Sequence, residues 1–229
     1  MEENKNKANL NLTLKSELIP ILIILTAVAI SIFSYKLLPE QVITHWNMYG
    51  EPDGWSSKNF HAFFFPGLLV FIYLLMNILP KIDPKRQRYQ EFFNIYLIIR
   101  NLMLGTFLVV FIGATLSNLG YNINIGGLVG ATIGVLFIIM GNYLGKIKRN
   151  WFVGIKNPWT LSSENVWNNT HRLGGKLFVL WGLSIIALPW LAPQASMWVL
   201  LGGALILIGS VTLYSYLLYK QEKKKNNQD

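Results

Sequence analysis

Apolar and polar positions along this chain come in long blocks. Six apolar stretches, at about Leu18–Leu38, Phe60–Leu79, Ile95–Leu116, Ile125–Leu144, Gly174–Leu191 and Trp198–Tyr219, are separated by polar segments. An α-helix needs about 20 mostly apolar residues to cross a hydrocarbon core. The pattern therefore predicts an all-α polytopic membrane protein with six transmembrane helices. The first stretch follows a polar lead and precedes no small-residue cleavage site, so it reads as a retained helix, not a signal peptide. The fourth stretch contains glycines and the fifth is short. Gly130–Gly134 and Gly141–Gly145 have the small-xxx-small spacing that lets helices approach closely.

Charge turns this pattern into a topology. Of the 20 Lys and Arg residues, 17 fall on alternate polar segments: the N-terminal tail, the loop at 81–88, the region 146–176 and the C-terminal tail. Lys36 and Lys58 lie on the other side, and Arg100 lies inside the third stretch. The positive-inside rule puts the basic segments, and with six spans both termini, in the cytoplasm. The formal net charge of +9 is then a topology signal, and direct nucleic-acid binding is not needed to explain it. The chain is 52% hydrophobic and 14% charged, against about 25% charged in soluble domains. It has no cysteine, which excludes disulfides, thiolate metal sites and cysteine nucleophiles. The segmentation gives a polar tail (1–17), two spans with their connecting loop (18–80), four further spans (81–219) and a basic tail (220–229).

Two loops hold most of the chemistry. In the outer one, Pro39–Asn59, Pro39 suits the first turn of a short helix, and Val42, Ile43 and Trp46 give that helix an apolar face. Gly50 and Pro52-Asp53-Gly54 predict turns. Trp46, Tyr49 and Trp55 are aromatics of the interfacial type. His45, Asn47 and Asp53 form a candidate polar site, with His61 as a further member. Two histidines and an aspartate are zinc-ligand types, but no close His spacing supports a metal, and none is assigned. A loop whose polar groups merely satisfy one another is the competing reading.

In the inner loop, Lys146–Leu173, Asn157-Pro158 disfavours helix at position 157. Ser162 is a candidate N-cap with Glu164 in the first turn. Val166, Trp167, Thr170 and His171 then share one face of a short amphipathic helix with its tryptophans at headgroup level, which Gly174 ends. His171 and Arg172 sit where a partner protein or lipid phosphates would meet them; alternatively, His171 packs beneath the loop. Ser162 and Ser163 lack a base and a third group, so a nucleophile is unsupported.

The spans carry no carboxylate. Arg100 lies near an end and can extend to the interface, while Asn77 and Asn142 suit interhelical hydrogen bonds. An acidic proton relay is missing.

The segments "LPEQVITHWNMYGEPDGWSSK" (38–58) and "GIKNPWTLSSENVWNNTHRLGGKLF" (154–178) resemble the SdpI family of bacterial membrane proteins. The first is similar to the family's N-terminal domain of unknown function, here 18–80; the second, more specific, belongs to the SdpI-like region, here 81–219. The resemblance covers about residues 18–218. It implies a membrane immunity protein without enzymatic activity or cofactor. Such a protein recognises a secreted peptide toxin and holds a cytoplasmic repressor at the membrane. His45, Trp46, Asn47, Gly50, Asp53 and Gly54 match the outer motif, and Asn157, Pro158, Trp159, Thr160, Trp167, Thr170, His171, Gly174 and Gly175 the inner one. A membrane enzyme acting on lipid or peptide through His45 and Asp53 or His171, and a small-molecule exporter, are the alternatives. The first needs converging polar groups in a pocket; the second needs a polar cavity between spans.

Overall fold

The computed structural model describes residues 12–47, 50–191 and 196–228, without the side chains of 188–191 and 196–197. The expected N-terminal tail as far as residue 11, Tyr49 and most of the last connection (192–195) lie outside the described residues. The chain is mostly helical: α1 (Leu14–Ser34), a hairpin of β1 (Gln41–Trp46) and β2 (Pro52–Ser57), α2 (Lys58–Ile82), a 3-10 segment (Arg86–Glu91), α3 (Phe93–Asn118), α4 (Ile125–Leu144), α5 (Pro158–Ser162), α6 (Glu164–Leu191) and α7 (Ser196–Asn226). Among the described residues, five helices are long and apolar enough to cross a membrane: α1 to α4 and the Trp198–Asn226 part of α7. This is a multi-pass membrane protein. The sixth expected span, Gly174–Leu191, forms the C-terminal part of α6, whose last four side chains lie outside the described residues.

The chain divides into two compact units, Leu12–Asn77 with Ile99–Leu136, and Ile78–Ile98 with Phe137–Asp229. In the first unit, the segment 41–57 is an antiparallel β-hairpin, not the short helix expected after Pro39. Val42, Ile43 and Thr44 are β-branched and stiff at χ1, which favours extended backbone. Val42 is fully buried. The Pro52-Asp53-Gly54 run, expected as a turn, lies in β2 instead. The connection between the strands includes Asn47, Gly50 and Glu51. Asn47 closes it: its N–H donates to the Glu51 carbonyl (2.8 Å), and its side-chain oxygen accepts the Glu51 N–H (3.0 Å). Gly50 has φ +81°, which glycine adopts without strain.

The free edge of β1 is covered by one side chain. The Asn118 amide at the end of α3 accepts the Ile43 N–H (2.7 Å) and donates to the Ile43 carbonyl (3.0 Å), as a third strand would. At the hairpin base Lys58 pairs with Glu40 at 2.7 Å.

A second difference concerns Arg100. Far from extending to an interface, it is fully buried. Its Nη1 donates to Glu17 (3.0 Å) and Asn77 (2.8 Å), and its Nη2 to the Ser16 carbonyl (2.7 Å). The Tyr73 hydroxyl donates to the other Glu17 oxygen at 2.7 Å. The partner carboxylate escaped the sequence reading because α1 begins at Leu14, where Thr13 and Ser16 form a capping box. That puts Glu17 inside the helix. A buried guanidinium without its carboxylate is strongly unfavourable.

The second unit holds α5, α6 and α7. Gly141 on α4 and Gly175 on α6 meet backbone to backbone; a Cβ on either would lie 2.5 Å from the other's carbonyl oxygen. Gly174, expected to end a short helix, does not: α6 runs through it to Leu191. Its missing side chain makes room for Ile155. These are contact glycines, not terminators.

Arg100→Leu is expected to destabilise the detergent-purified protein by about 3–5 kcal/mol, read as a lower thermal midpoint. The Glu17→Leu/Arg100→Leu double variant should lose less than the two single losses combined. Simple additivity would contradict the coupling.

Candidate functional site

The inner-loop motif is built around two stacked rings on the first two turns of α6. Ser163, one residue later than the expected cap, starts the helix by accepting the Val166 N–H at 3.3 Å. Four residues of helix then bring Trp167 and His171 onto one face. Their rings stack at 4.0 Å between centroids. The Trp167 indole N–H donates to the Ile147 carbonyl at 2.8 Å.

His171 is bonded at both nitrogens. Nε2 accepts the Ile155 N–H at 2.9 Å, and Nδ1 lies 2.8 Å from the Trp167 carbonyl. A backbone N–H only donates and a carbonyl only accepts, so the neutral ring carries its proton on Nδ1. Protonating Nε2 would set two donors against each other. Burial pushes the His171 pKa down to about 4, against a smaller upward pull from the Trp167 carbonyl. Gly154 lies over this pair with φ +120°, where a Cβ would strike His171 Nε2 and the Trp167 ring.

Asn157 caps α5, accepting the Trp159 and Thr160 N–H groups at 3.1 and 2.9 Å. Its amide nitrogen donates to Ser215 Oγ on α7 at 2.8 Å. Pro158 occupies the first turn, and Trp159 packs edge-on to Tyr216. The Thr160 hydroxyl donates to the Ile155 carbonyl at 2.9 Å. Val166, Trp167, Thr170 and His171 share a face as expected, but that face is fully buried. Trp167 is therefore interior, not at headgroup level. Among the described residues Thr170 Oγ1 has no hydrogen-bond partner.

The outer motif is the opposite case. His45 Nδ1 meets Asp53 Oδ1 at 2.5 Å across the hairpin, and the two side chains are 71% and 43% exposed. Gly54 lies against His45, where a Cβ would come within 2.9 Å of the His45 Cβ. Trp55 is 58% exposed. Asn47 and Gly50 shape the turn and do not join the His45–Asp53 pair. His61 is also elsewhere: it is buried, 3.0 Å from the Thr115 hydroxyl, with its ring against Phe65 and Phe111. Among the described residues no three His, Asp or Glu side chains converge as a metal would require.

Two polar clusters were missed. Asp83 is buried, accepting the Lys85 N–H (2.7 Å), the Trp151 N–H (2.9 Å) and the Tyr89 hydroxyl (3.0 Å). Burial, reinforced by the Asp83 carboxylate, pushes the Tyr89 pKa up and keeps it a donor. Buried Asn150 accepts the Phe152 and Val153 N–H groups. The available signal was one acid, Asp83, inside a run of bases. The other cluster joins Arg88 to Glu164 and Glu91, and Arg149 to Glu164. It borders two clefts, of about 320 and 530 Å³.

Folding holds the His171 imidazole near pKa 4, below its ordinary 6.5. Between those values the unfolded chain binds the extra proton, so stability falls as pH drops from about 6.5 towards 4. The thermal midpoint should follow that slope, and His171→Gln should flatten it. His171→Ala should destabilise by about 2–4 kcal/mol, because it opens a cavity and strands the Ile155 N–H. An unchanged midpoint in the alanine variant would contradict the buried role.

Comparison with known proteins supports both motifs. The SdpI/YfhL protein family model matches residues 146–215, and the domain of unknown function DUF1648 matches 22–70. The chain is 28% identical to Immunity protein SdpI of Bacillus subtilis (strain 168) over 211 residues, covering 91% of this chain and 98% of that protein. No solved structure matches it. The two family regions enclose the hairpin and the Trp167–His171 loop respectively, and with the near full-length similarity they bear out the resemblance to the SdpI family.

Proposed function

We propose that the chain is an integral membrane immunity protein, without enzymatic activity, that gives resistance to a secreted antibacterial peptide. The observation that carries this reading is the similarity to an immunity protein along 98% of that protein's length. In the proposed topology six helices cross the membrane, α6 supplying the sixth from Gly174 onward. Both termini are cytoplasmic, as the distribution of basic residues favours.

The hairpin is the outward recognition surface. His45 and Asp53 offer an exposed polar pair, Trp55 an exposed aromatic and Trp46 a half-buried one, a combination suited to contacting an amphipathic peptide. Asn47, Gly50 and Gly54 hold the hairpin in shape. A cytoplasmic repressor is the proposed inner partner. The motif residues Asn157 to Gly175 act on that side mainly by fixing the loop. The partner would then meet the cleft bordered by Arg149, Ser162, Ser163, Glu164, Tyr219 and Lys223. An enzymatic dyad at His45–Asp53 is disfavoured by the exposure of both side chains, since acid–base catalysis gains from an enclosed site.

Expression in a peptide-sensitive strain should raise survival above an empty-vector control. His45→Ala and Asp53→Asn should each lower that tolerance at unchanged membrane abundance, whereas His171→Ala should lower tolerance and abundance together. Survival equal to the control against every secreted peptide tested would refute the immunity reading.

A further inference from the structure

The smaller cleft of the second unit has an unusual charge balance. It is about 320 Å³ and is lined by Pro84, Lys85, Gln87, Arg88, Arg149 and Glu164. Three cationic side chains thus face one carboxylate. Glu164 is already shared: it accepts Arg88 Nη2 and lies 3.6 Å from Arg149 Nε. Glu91 accompanies Arg88 at 2.9 Å, but without hydrogen-bond alignment, and Lys148 at 3.7 Å. Among the described residues, Arg88 Nε thus has Glu91 Oε1 as an ion-pair partner and Arg149 Nε has Glu164 Oε2 at 3.6 Å, but neither makes an aligned hydrogen bond. A buried donor without an acceptor costs about 1–3 kcal/mol. Two imperfectly bonded donors on facing arginines leave room for a better-aligned acceptor.

We infer that this cleft binds the phosphate group of an anionic ligand, held by Lys85, Arg88 and Arg149. A phosphate offers several acceptor oxygens and diffuse charge, matching three donors from three directions better than one carboxylate does. The position of the site just beyond the ends of two apolar helices favours a phospholipid headgroup as the source. Lys85 follows the end of α2 at Ile82 by three residues, and Arg149 follows the end of α4 at Leu144 by five. Basic pockets at the ends of membrane helices are where anionic headgroups dock. Burial, with Arg149 and Arg88 nearby, also lowers the Lys85 pKa, as expected where positive charge is in local excess. Glu164 keeps the arginines oriented, so the site is preformed.

The test uses the full chain purified in an uncharged detergent. Binding of short-chain phosphatidylglycerol, short-chain phosphatidylcholine and inorganic phosphate is measured by thermophoresis at fixed ionic strength. Lys85→Gln is the informative variant, because it removes a cleft cation without touching the Arg88–Glu164–Arg149 network. Lys81→Gln, outside the cleft, is the control. Phosphatidylglycerol is expected to bind the parent chain and the Lys81 variant alike, and the Lys85 variant about tenfold more weakly. Tighter binding of phosphatidylglycerol than of inorganic phosphate assigns a lipid source; equal binding assigns a free anion, and both outcomes support a phosphate site. Binding that is unaffected by Lys85→Gln, or absent for both phosphate sources, overturns the proposal and leaves the cleft to a carboxylate-bearing partner.

Discussion

A polar group buried in this chain is costly unless it finds a partner within the chain, because neither hydrocarbon nor the protein interior offers water. That constraint accounts for most of the specific structure. Arg100 is tied to Glu17, Asn77 and the Ser16 carbonyl. His171 is bonded at both ring nitrogens, Asp83 accepts from two backbone N–H groups and a tyrosine, and Asn118 serves both polar groups of Ile43. Each is a single side chain that ends one uncompensated demand and thereby fixes two segments distant in sequence. His171 and Arg100 do not behave as chemical groups. They behave as joints.

The two motifs consequently differ in kind. The inner motif is largely internal. Trp167 and His171 hold Ile147 and Ile155, Gly154 admits the ring pair, and Asn157 reaches Ser215. Its residue types are set by mutual fit, so a change at one of them acts first on the loop's shape. The outer motif is a short hairpin with its polar pair in solvent. A two-stranded hairpin is marginal alone, and this one relies on Asn118, Lys58–Glu40 and the buried Val42 to keep its form. Rigidity at its base frees the exposed His45, Asp53 and Trp55 to carry contacts with something else.

Much of this architecture was legible in the sequence, and the misses have physical causes. Long apolar blocks predict helices well, since lipid demands length and little else. The face shared by Val166, Trp167, Thr170 and His171 was also correct as periodicity. Its destination was not: periodicity marks a face without saying whether membrane or protein covers it. The hairpin was missed because Pro39 and the i, i+1, i+4 spacing of Val42, Ile43 and Trp46 mimic a helix, while the β-branched run and Gly50 argued for a strand and turn. Glu17 was missed by setting the helix boundary at the apolar run, five residues after the Thr13 cap. The His45–Asp53 pairing was anticipated. Satisfaction of His61 by Thr115, 54 positions away, leaves no local trace.

The most direct test of this account is the protonation state of His171, read by 15N nuclear magnetic resonance of histidine-labelled protein in detergent. Its resonances are assigned by comparison with His45→Gln and His61→Gln variants. The account predicts a neutral ring with Nδ1 protonated and Nε2 bare, unchanged as the pH falls through 6.5 and titrating only near 4. A ring protonated on Nε2, or one that titrates near 6.5 with the protein still folded, would contradict it.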